Sequence, residues 1–375
     1  MQGPPPGPSY LLAAGEQSLQ SGQLLSFPLD TQTGALGTPL AIAGPQPPIF
    51  SMTVAGEKSP FLYVAPVVSL QSFPDQIHGY AIDAKTGALS EIASSPFAAA
   101  DAITLSGGSG FNSFLYVGAT SALSGGLAPA VNAFSIGTDG SLSPSIAGSP
   151  FTAGPLTNIM AGPGPILSNQ APYLYATEYE GSTGAAGGVA AFTVDPNTGV
   201  LMPVPGSPFS TGPNGSPVNL VYDSRGFVYV TLFNTQIQNA QHYIAGFSVN
   251  PGTGALTPVP GSPFPASSVA SLTLDASGLY LFTGMDDTMT TVEFQIDAAS
   301  GVLTPMTGIK ARVYGPFLAY GNFLYAATTG TSGIPDSIAG FSINETTGAL
   351  TPLAGSPFLA GSAVTAMASV TMPGQ

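Results

Sequence analysis

Residues able to do chemistry are scarce in this chain of 375: two histidines, five Lys and Arg together, nineteen Asp and Glu, and no cysteine. His242 carries an imidazole that could act as a base near neutral pH, although a solvated loop histidine is the plainer reading. His78 lies two residues before Tyr80 on the same strand face, where a packed structural role suits it better than a catalytic one. Lys310, Arg312 and Tyr314 fall together in the segment GIKARVYGPF. Arg312 there could stabilise a developing oxyanion, with His242 or an acid such as Asp286 activating water. Asp287, Asp336, Tyr314, Lys310 and Asp101 could hold a ligand beside them. A local salt bridge is the plainer reading of that group. Adjacent acids such as Asp286 and Asp287 also suit Ca²⁺, but their spacing is unspecific, so neither a metal site nor a cofactor is expected. No Gly-x-Ser-x-Gly elbow, phosphate-binding P-loop, His-Glu-x-x-His or EF-hand spacing occurs.

What must position these residues is a repeat. The phrase FSVNPGTGALTPVPGSPF starts at Phe247, FTVDPNTGVLMPVPGSPF at Phe192 and FSINETTGALTPLAGSPF at Phe341, with weaker copies at Phe27, Tyr80, Phe134 and Phe294. A recurring period of about fifty residues means one supersecondary unit copied in space. A second run precedes each phrase: FLYV at Phe61 and Phe114, YLYA at Tyr173, FVYV at Phe227, LYLF at Leu279 and FLYA at Phe323. Before that comes another β-type run, as in FSMTV at Phe50, VNLVY at Val218 and SLTL at Ser271. Each copy therefore predicts four short strands. Seven copies predict an all-β, seven-bladed β-propeller with four antiparallel strands per blade. Residues 1–9 read as a flexible segment and residues 10–375 as one domain. YLLAAG at Tyr10 lacks an inner run, and AVTAMASV from Ala363 supplies one. The C-terminal strand is thus expected to pair in the N-terminal blade and close the ring.

Turn chemistry follows from the same phrase. Gly254 and Gly348 suit the left-handed conformation of a bulged hairpin, which a Cβ opposes. Asp195, Asn250, Asp297 and Asn344 can accept hydrogen bonds from the turn backbone. Pro144, Pro203, Pro258, Pro305 and Pro352 lack a donor and belong on an outer edge. Gly-Ser-Pro-Phe is expected to turn the chain inward, with Phe packing between blades. At the turn end, Asp30, Asp83, Asp139, Asp195, Asp223, Asp275, Asp297, Lys58, Lys85 and Arg225 read as turn formers and solvated charges. The candidate site residues fall at the other end, among longer loops and blade links.

Composition limits the partners. The net charge of −14 and the five cations exclude the phosphate neutralisation that nucleic acid requires, and disfavour an anionic membrane surface. No apolar run approaches the ~18 residues of a membrane span. The start, MQGPPPGPSY, does not read as a signal peptide. Charged residues are 6% of the chain, against roughly 25% in typical soluble domains, amid many Gly, Pro, Ser and Thr. That balance suits an exported protein, extracellular or periplasmic, with a small-molecule ligand as its partner.

The LYV-type run followed by aromatic-x-Ile/Val-Asp/Asn-x-x-Thr-Gly-x-Leu resembles the seven-bladed lactonase family, which is similar to 6-phosphogluconolactonase and the carboxymuconate-cyclising enzymes. The likeness spans Tyr10 to about Val370. It implies a hydrolase or isomerase acting on a lactone or sugar-derived substrate. Active members carry His and Arg at the channel mouth, in a His-x-His-like blade link and an Asp-Arg loop. The corresponding loops here read APVVS, GATSAL, TEYEGS, TLFNT, TGMDDT and ATTGTS, none with Asp-Arg; residues 284–287 come nearest. With so few cations, a neutral lactone or sugar fits better than a phosphorylated one. The alternative is a non-catalytic exported propeller that binds a ligand or protein on its loop face.

Overall fold

The computed structural model describes residues 7–18, 21–45, 49–56, 59–66, 76–99, 102–108, 111–119, 130–152, 158–160, 173–179, 187–212, 215–233, 242–267, 271–285, 291–308, 313, 315–328 and 336–374. Their regular elements are strands, with no helix among them. The chain is a β-propeller of antiparallel sheets that follow one another in sequence.

The fifth sheet shows the unit. Ser216–Asp223 is innermost, followed outward by Phe227–Phe233, His242–Val249 and Leu256–Pro258. The aromatic and β-branched run FVYV is buried on both faces, because sheets pack on either side of it. Six sheets have four or five strands. The third, made of Ala102–Gly108, Phe111–Ala119 and Ala130–Ser135, has three. The expectation of seven four-stranded blades is therefore met by six. The reason lies in the third hairpin, where Phe134 to Leu142 spans one residue fewer than Phe247 to Leu256. Gly137 also stands where other repeats have Asp or Asn, and the outer strand shrinks to an Ile136↔Leu142 bridge.

The C-terminal strand Ala363–Thr371 lies antiparallel to Ser9–Ser18, paired from Ser9↔Thr371 to Glu16↔Ala363 with a register shift between Ala14 and Gly15. Gly7 N–H donates to the Met372 carbonyl and Met372 N–H to that of Pro8, extending the pairing. A triangle of hydroxyls joins Ser9, Thr371 and Tyr320 of the seventh sheet, with edges of 2.9–3.0 Å.

Apolar clusters join each sheet to the next. One links the first and second sheets through Tyr10, Leu12, Leu62 and Val64, and another links the seventh and first through Tyr325, Ile338, Leu11 and Phe27. The glycine of the Thr-Gly turn is part of this packing. Gly254 has φ +75°, and a Cβ there would come within 2.7 Å of the Tyr173 ring in the preceding sheet. The same contact recurs between Gly87 and Tyr10, Gly140 and Phe61, Gly199 and Phe114, Gly301 and Phe227, Gly348 and Tyr280, and Gly34 and Phe323. Five tyrosines two positions further on donate to the carbonyl of the same glycine, from Tyr63 to Gly140 (2.8 Å) through to Tyr325 to Gly34 (2.7 Å). Their phenol pKa values are pushed up, chiefly by burial, so they remain donors.

The Gly-Ser-Pro-Phe phrase does more than turn the chain. In the fifth sheet Ser262 Oγ accepts the Gly246 N–H at 3.0 Å, in the middle of the third strand. Phe264–Ala266 then pairs with His242–Ile244, so the outer edge is covered by two short strands instead of one. Ser95, Ser149, Ser207 and Ser356 repeat the hydroxyl bond. Phe97, Phe151, Phe209, Phe264 and Phe358 do pack between sheets, as expected.

Candidate functional site

Of the eight candidate residues, Asp101, Asp286, Asp287, Lys310, Arg312 and Tyr314 lie outside the described residues. His242 and Asp336 are placed, and at equivalent points: each lies five residues before the aromatic of its repeat, Phe247 or Phe341. His242 opens the third strand of the fifth sheet and Asp336 directly precedes that of the seventh, both at the end where the loops lie. His242 is half-buried and held in register with Ala266. Its imidazole stacks on the Phe233 ring, with centroids 5.0 Å apart and planes 15° apart. Phe233 ends the preceding strand and is 44% exposed, the one exposed aromatic ring among the described residues. Sequence reasoning passed it over as part of the loop TLFNT; its signal is an aromatic at a strand end next to a polar loop. Asp336 is half-buried, and its carbonyl accepts the Ala360 and Gly361 N–H groups at 3.1 and 3.3 Å. The fold thus brings His242 and Asp336 to one end, in different sheets.

A second buried group was also missed. Glu293 is 2% exposed in the third strand of the sixth sheet, where it accepts a hydrogen bond from the Thr291 hydroxyl at 2.5 Å. Other repeats have Ser26, Gly79, Ala133, Ala191, Gly246 or Gly340 there. The sixth repeat is also the one whose Gly-Ser-Pro-Phe is replaced by GIKARVYGPF. A small residue leaves room for the Phe of that phrase, whose ring lies 3.4 Å from a Cβ built on Gly246. In the sixth repeat, where the phrase is replaced, Glu293 stands in that small residue's place.

The remaining charges sort by the turns. Asp30, Asp83, Asp139, Asp195 and Asp297 are exposed, and each carboxylate accepts turn N–H groups. Their pKa values lie below the ordinary range. Hydroxyls of Thr86, Ser141 and Ser300 lead at Asp83, Asp139 and Asp297, and backbone N–H bonds lead at Asp30 and Asp195. Asn250 and Asn344 make the same bonds without charge. Two acids depart from the expected solvated role. Asp223 is 2% exposed and takes the Arg225 guanidinium, with Nε to Oδ2 at 2.9 Å. Arg225 also donates to the Gly278 carbonyl of the next sheet. Asp275 is 8% exposed and accepts the Tyr280 and Ser277 N–H groups. Both bind together inner-strand turns that the sequence placed in solvent. His78 bonds Glu91 on the outer strand at 2.9 Å, which agrees with a structural role.

Among the innermost strands, Asp223 is the sole charged residue; Ile49–Ala55, Ala102–Gly108, Asn158–Met160, Leu272–Leu274, Phe317–Tyr320 and Ala363–Thr371 carry none. Apart from Asp223, the described inner strands therefore carry apolar and neutral hydrogen-bonding residues. A groove of about 820 Å³ opens at the opposite end, beside Tyr10, Asp30, Thr31, Lys85 and Thr86. Its size does not make it the better site, because the Asp30 carboxylate is already bonded to its own turn. No group of three or more His, Asp or Glu suited to a metal occurs among the described residues.

No protein-family model matches the chain, and no curated protein sequence matches it. Solved structures do. A Bacteroides uniformis protein provisionally named 6-phosphogluconolactonase superposes with a TM-score of 0.72 at 17% identity, covering 97% of this chain and 99% of that one. The periplasmic gluconolactonase of Pseudomonas aeruginosa gives 0.68 at 20% identity, covering 98% and 100%. A hypothetical selenium-binding protein of Sulfolobus tokodaii gives 0.64 at 11%, covering 100% and 96%. At these identities the likeness establishes the β-propeller fold alone, and the third match shows that the fold also carries other names.

Proposed function

We propose that this protein is a lactone hydrolase acting at the loop end of a single propeller domain, on a neutral sugar-derived lactone. The whole-length likeness to a periplasmic gluconolactonase carries this reading. The lack of Lys and Arg in the described inner strands favours a neutral substrate, since a phosphorylated one needs cationic donors. Arg312 is assigned to the developing oxyanion, and His242, with Asp286 as the other candidate, to activation of water. Tyr314, Asp287, Asp336, Lys310 and Asp101 are assigned to the ligand. An exported, periplasmic location belongs to the same reading.

The third sheet counts as a seventh, reduced blade. Ile146 N–H reaches the Ala133 carbonyl, Ser149 Oγ takes the Ala133 N–H, and Phe151 bridges Val131. These match the bonds made by Val259, Ser262 and Phe264 in the fifth sheet. The seven aromatic–glycine contacts, which return from Phe323 to Gly34, support a ring closed in the first blade.

The test is hydrolysis of neutral and phosphorylated lactones by the wild type and by Arg312→Ala. Turnover of a neutral lactone that falls by at least about a hundredfold in the variant supports the assignment. A rate no higher than the spontaneous one on every lactone removes it.

A further inference from the structure

We propose that the outer edge of the first blade, Leu40–Ala43, is a docking strand for a second copy of this chain, the two edges pairing antiparallel about a two-fold axis. The strand is the last in its sheet, and nothing pairs on its outer side among the described residues. Gly44 N–H donates to the Gly22 carbonyl, and the register runs on through Leu24↔Ile42 to Ser26↔Leu40. Hydrogen bonding alternates along an antiparallel pair, so Leu40 and Ile42 turn their backbone groups inward. Ala41 and Ala43 therefore point their N–H and C=O groups away from the sheet, and both residues are exposed.

The other blades block this edge. By the same alternation Pro203, Pro258, Pro305 and Pro352 stand where the backbone faces outward, so the missing donor falls on the outer side. Pro144 does the same in the third sheet, next to Ser143, whose N–H bonds the Ser135 carbonyl. The second blade has Glu91 at that place, a charge that two copies cannot bring together. In the first blade Pro39 keeps the place, one step beyond Ser26↔Leu40. The strand runs on past it, because no Gly-Ser-Pro-Phe phrase takes over. The result is an apolar run, LAIA, with Leu40 45% exposed. Such an edge, with free donors and acceptors, is a template for another strand.

Two features select a copy of the same chain. Copies with a net charge of −14 repel, but residues 36–45 carry no charge, so the paired strands themselves bring no acids together. Symmetry is the second feature. Setting Ala41 against Ala43 of the second copy lets both residues exchange N–H···O=C bonds on each side of the axis, with Ile42 facing its own counterpart on the axis. Shifting that register in either direction sets an alanine against Pro39 or Pro45, which have no donor.

The test is the mass of the full chain in solution, by light scattering and sedimentation equilibrium, from about 1 to about 200 µM. A concentration-dependent dimer is expected. Ala41→Pro removes an outward donor and no bond of the fold, and should raise the dissociation constant at least about tenfold with the melt unchanged. The chain has no cysteine, so Ile42→Cys introduces a single thiol. A non-hydrogen-bonded pair brings its Cα atoms to about 4.5 Å, within disulfide reach. Mild oxidation should therefore join two copies of Ile42→Cys, whereas Ala41→Cys, more than about 7 Å from its counterpart, should not cross-link. A wild type that stays monomeric throughout the range would overturn the proposal and leave the edge to an extended segment of another protein. A dimer unmoved by Ala41→Pro, or one that Ile42→Cys does not cross-link, would overturn it by placing the interface elsewhere.

Discussion

Gly34 and Phe323 are far apart in sequence, yet a Cβ on Gly34 would enter the Phe323 ring, and the backbone there has φ +72°. Conformation and packing thus both require glycine at one atom. Gly34→Ala should cost about 2–4 kcal/mol in equilibrium unfolding, from left-handed strain plus overpacking. Gly226, at φ +100° with nothing within 4 Å of its Cβ, should show the backbone part alone. The turn carboxylates give a pH signature. Asp30, Asp83, Asp139, Asp195 and Asp297 have lowered folded-state pKa values. Their contribution is present above the unfolded value of about 3.9 and is lost as pH falls through the lower folded values. Thermal melts should therefore show Tm dropping as pH falls below about 4. Changing Asp83, Asp195 and Asp297 to Asn should flatten that drop and keep the fold, because Asn250 and Asn344 already hold the same turns.

Strands depend on what caps their edges. Ser262 supplies an acceptor in the middle of the third strand of the fifth sheet, in the gap between two short outer pieces. Ser262→Ala strands the Gly246 N–H and should destabilise by about 1–2 kcal/mol in chemical denaturation. Removing Ala363–Thr371 exposes the inner edge of Ser9–Ser18 from Ser9 to Glu16 and takes Ala366 and Val370 from the cluster between the first two sheets. A chain stopped at Ser362 should lose its cooperative melt, and not merely its tail. The strand runs, the left-handed glycines and the Asp and Asn turns were legible because each depends on local chemistry. The double outer edge was not, since two-residue strands carry no period. The third hairpin's missing residue was visible in the spelling from Phe134, but its effect on a strand was not. Asp223 and Asp275 looked like surface turn acids; at Asp223 the Arg225 pair packs on Gly278 of the next sheet, which no local pattern encodes.

At the scale of the whole molecule, the repeat explains the scaffold, and the departures from it mark where chemistry can sit. His242 and Asp336 were legible as loop-end residues because topology alone assigns strand ends to faces. Phe233 and Glu293 were not, since an aromatic or an acid inside a strand-like run reads as ordinary until its exposure or burial is known. A neutral substrate carries no net charge for the field of the −14 net charge to act on, so kcat/KM should be nearly independent of salt. The most direct test is the rate of hydrolysis of D-glucono-1,5-lactone by the purified full chain, measured against the spontaneous rate and beside Arg312→Ala. A clear enzymatic rate that the variant loses while its melt stays unchanged is the expected result. A rate equal to the spontaneous one, for this and every other neutral or phosphorylated lactone, would contradict the assignment as a hydrolase.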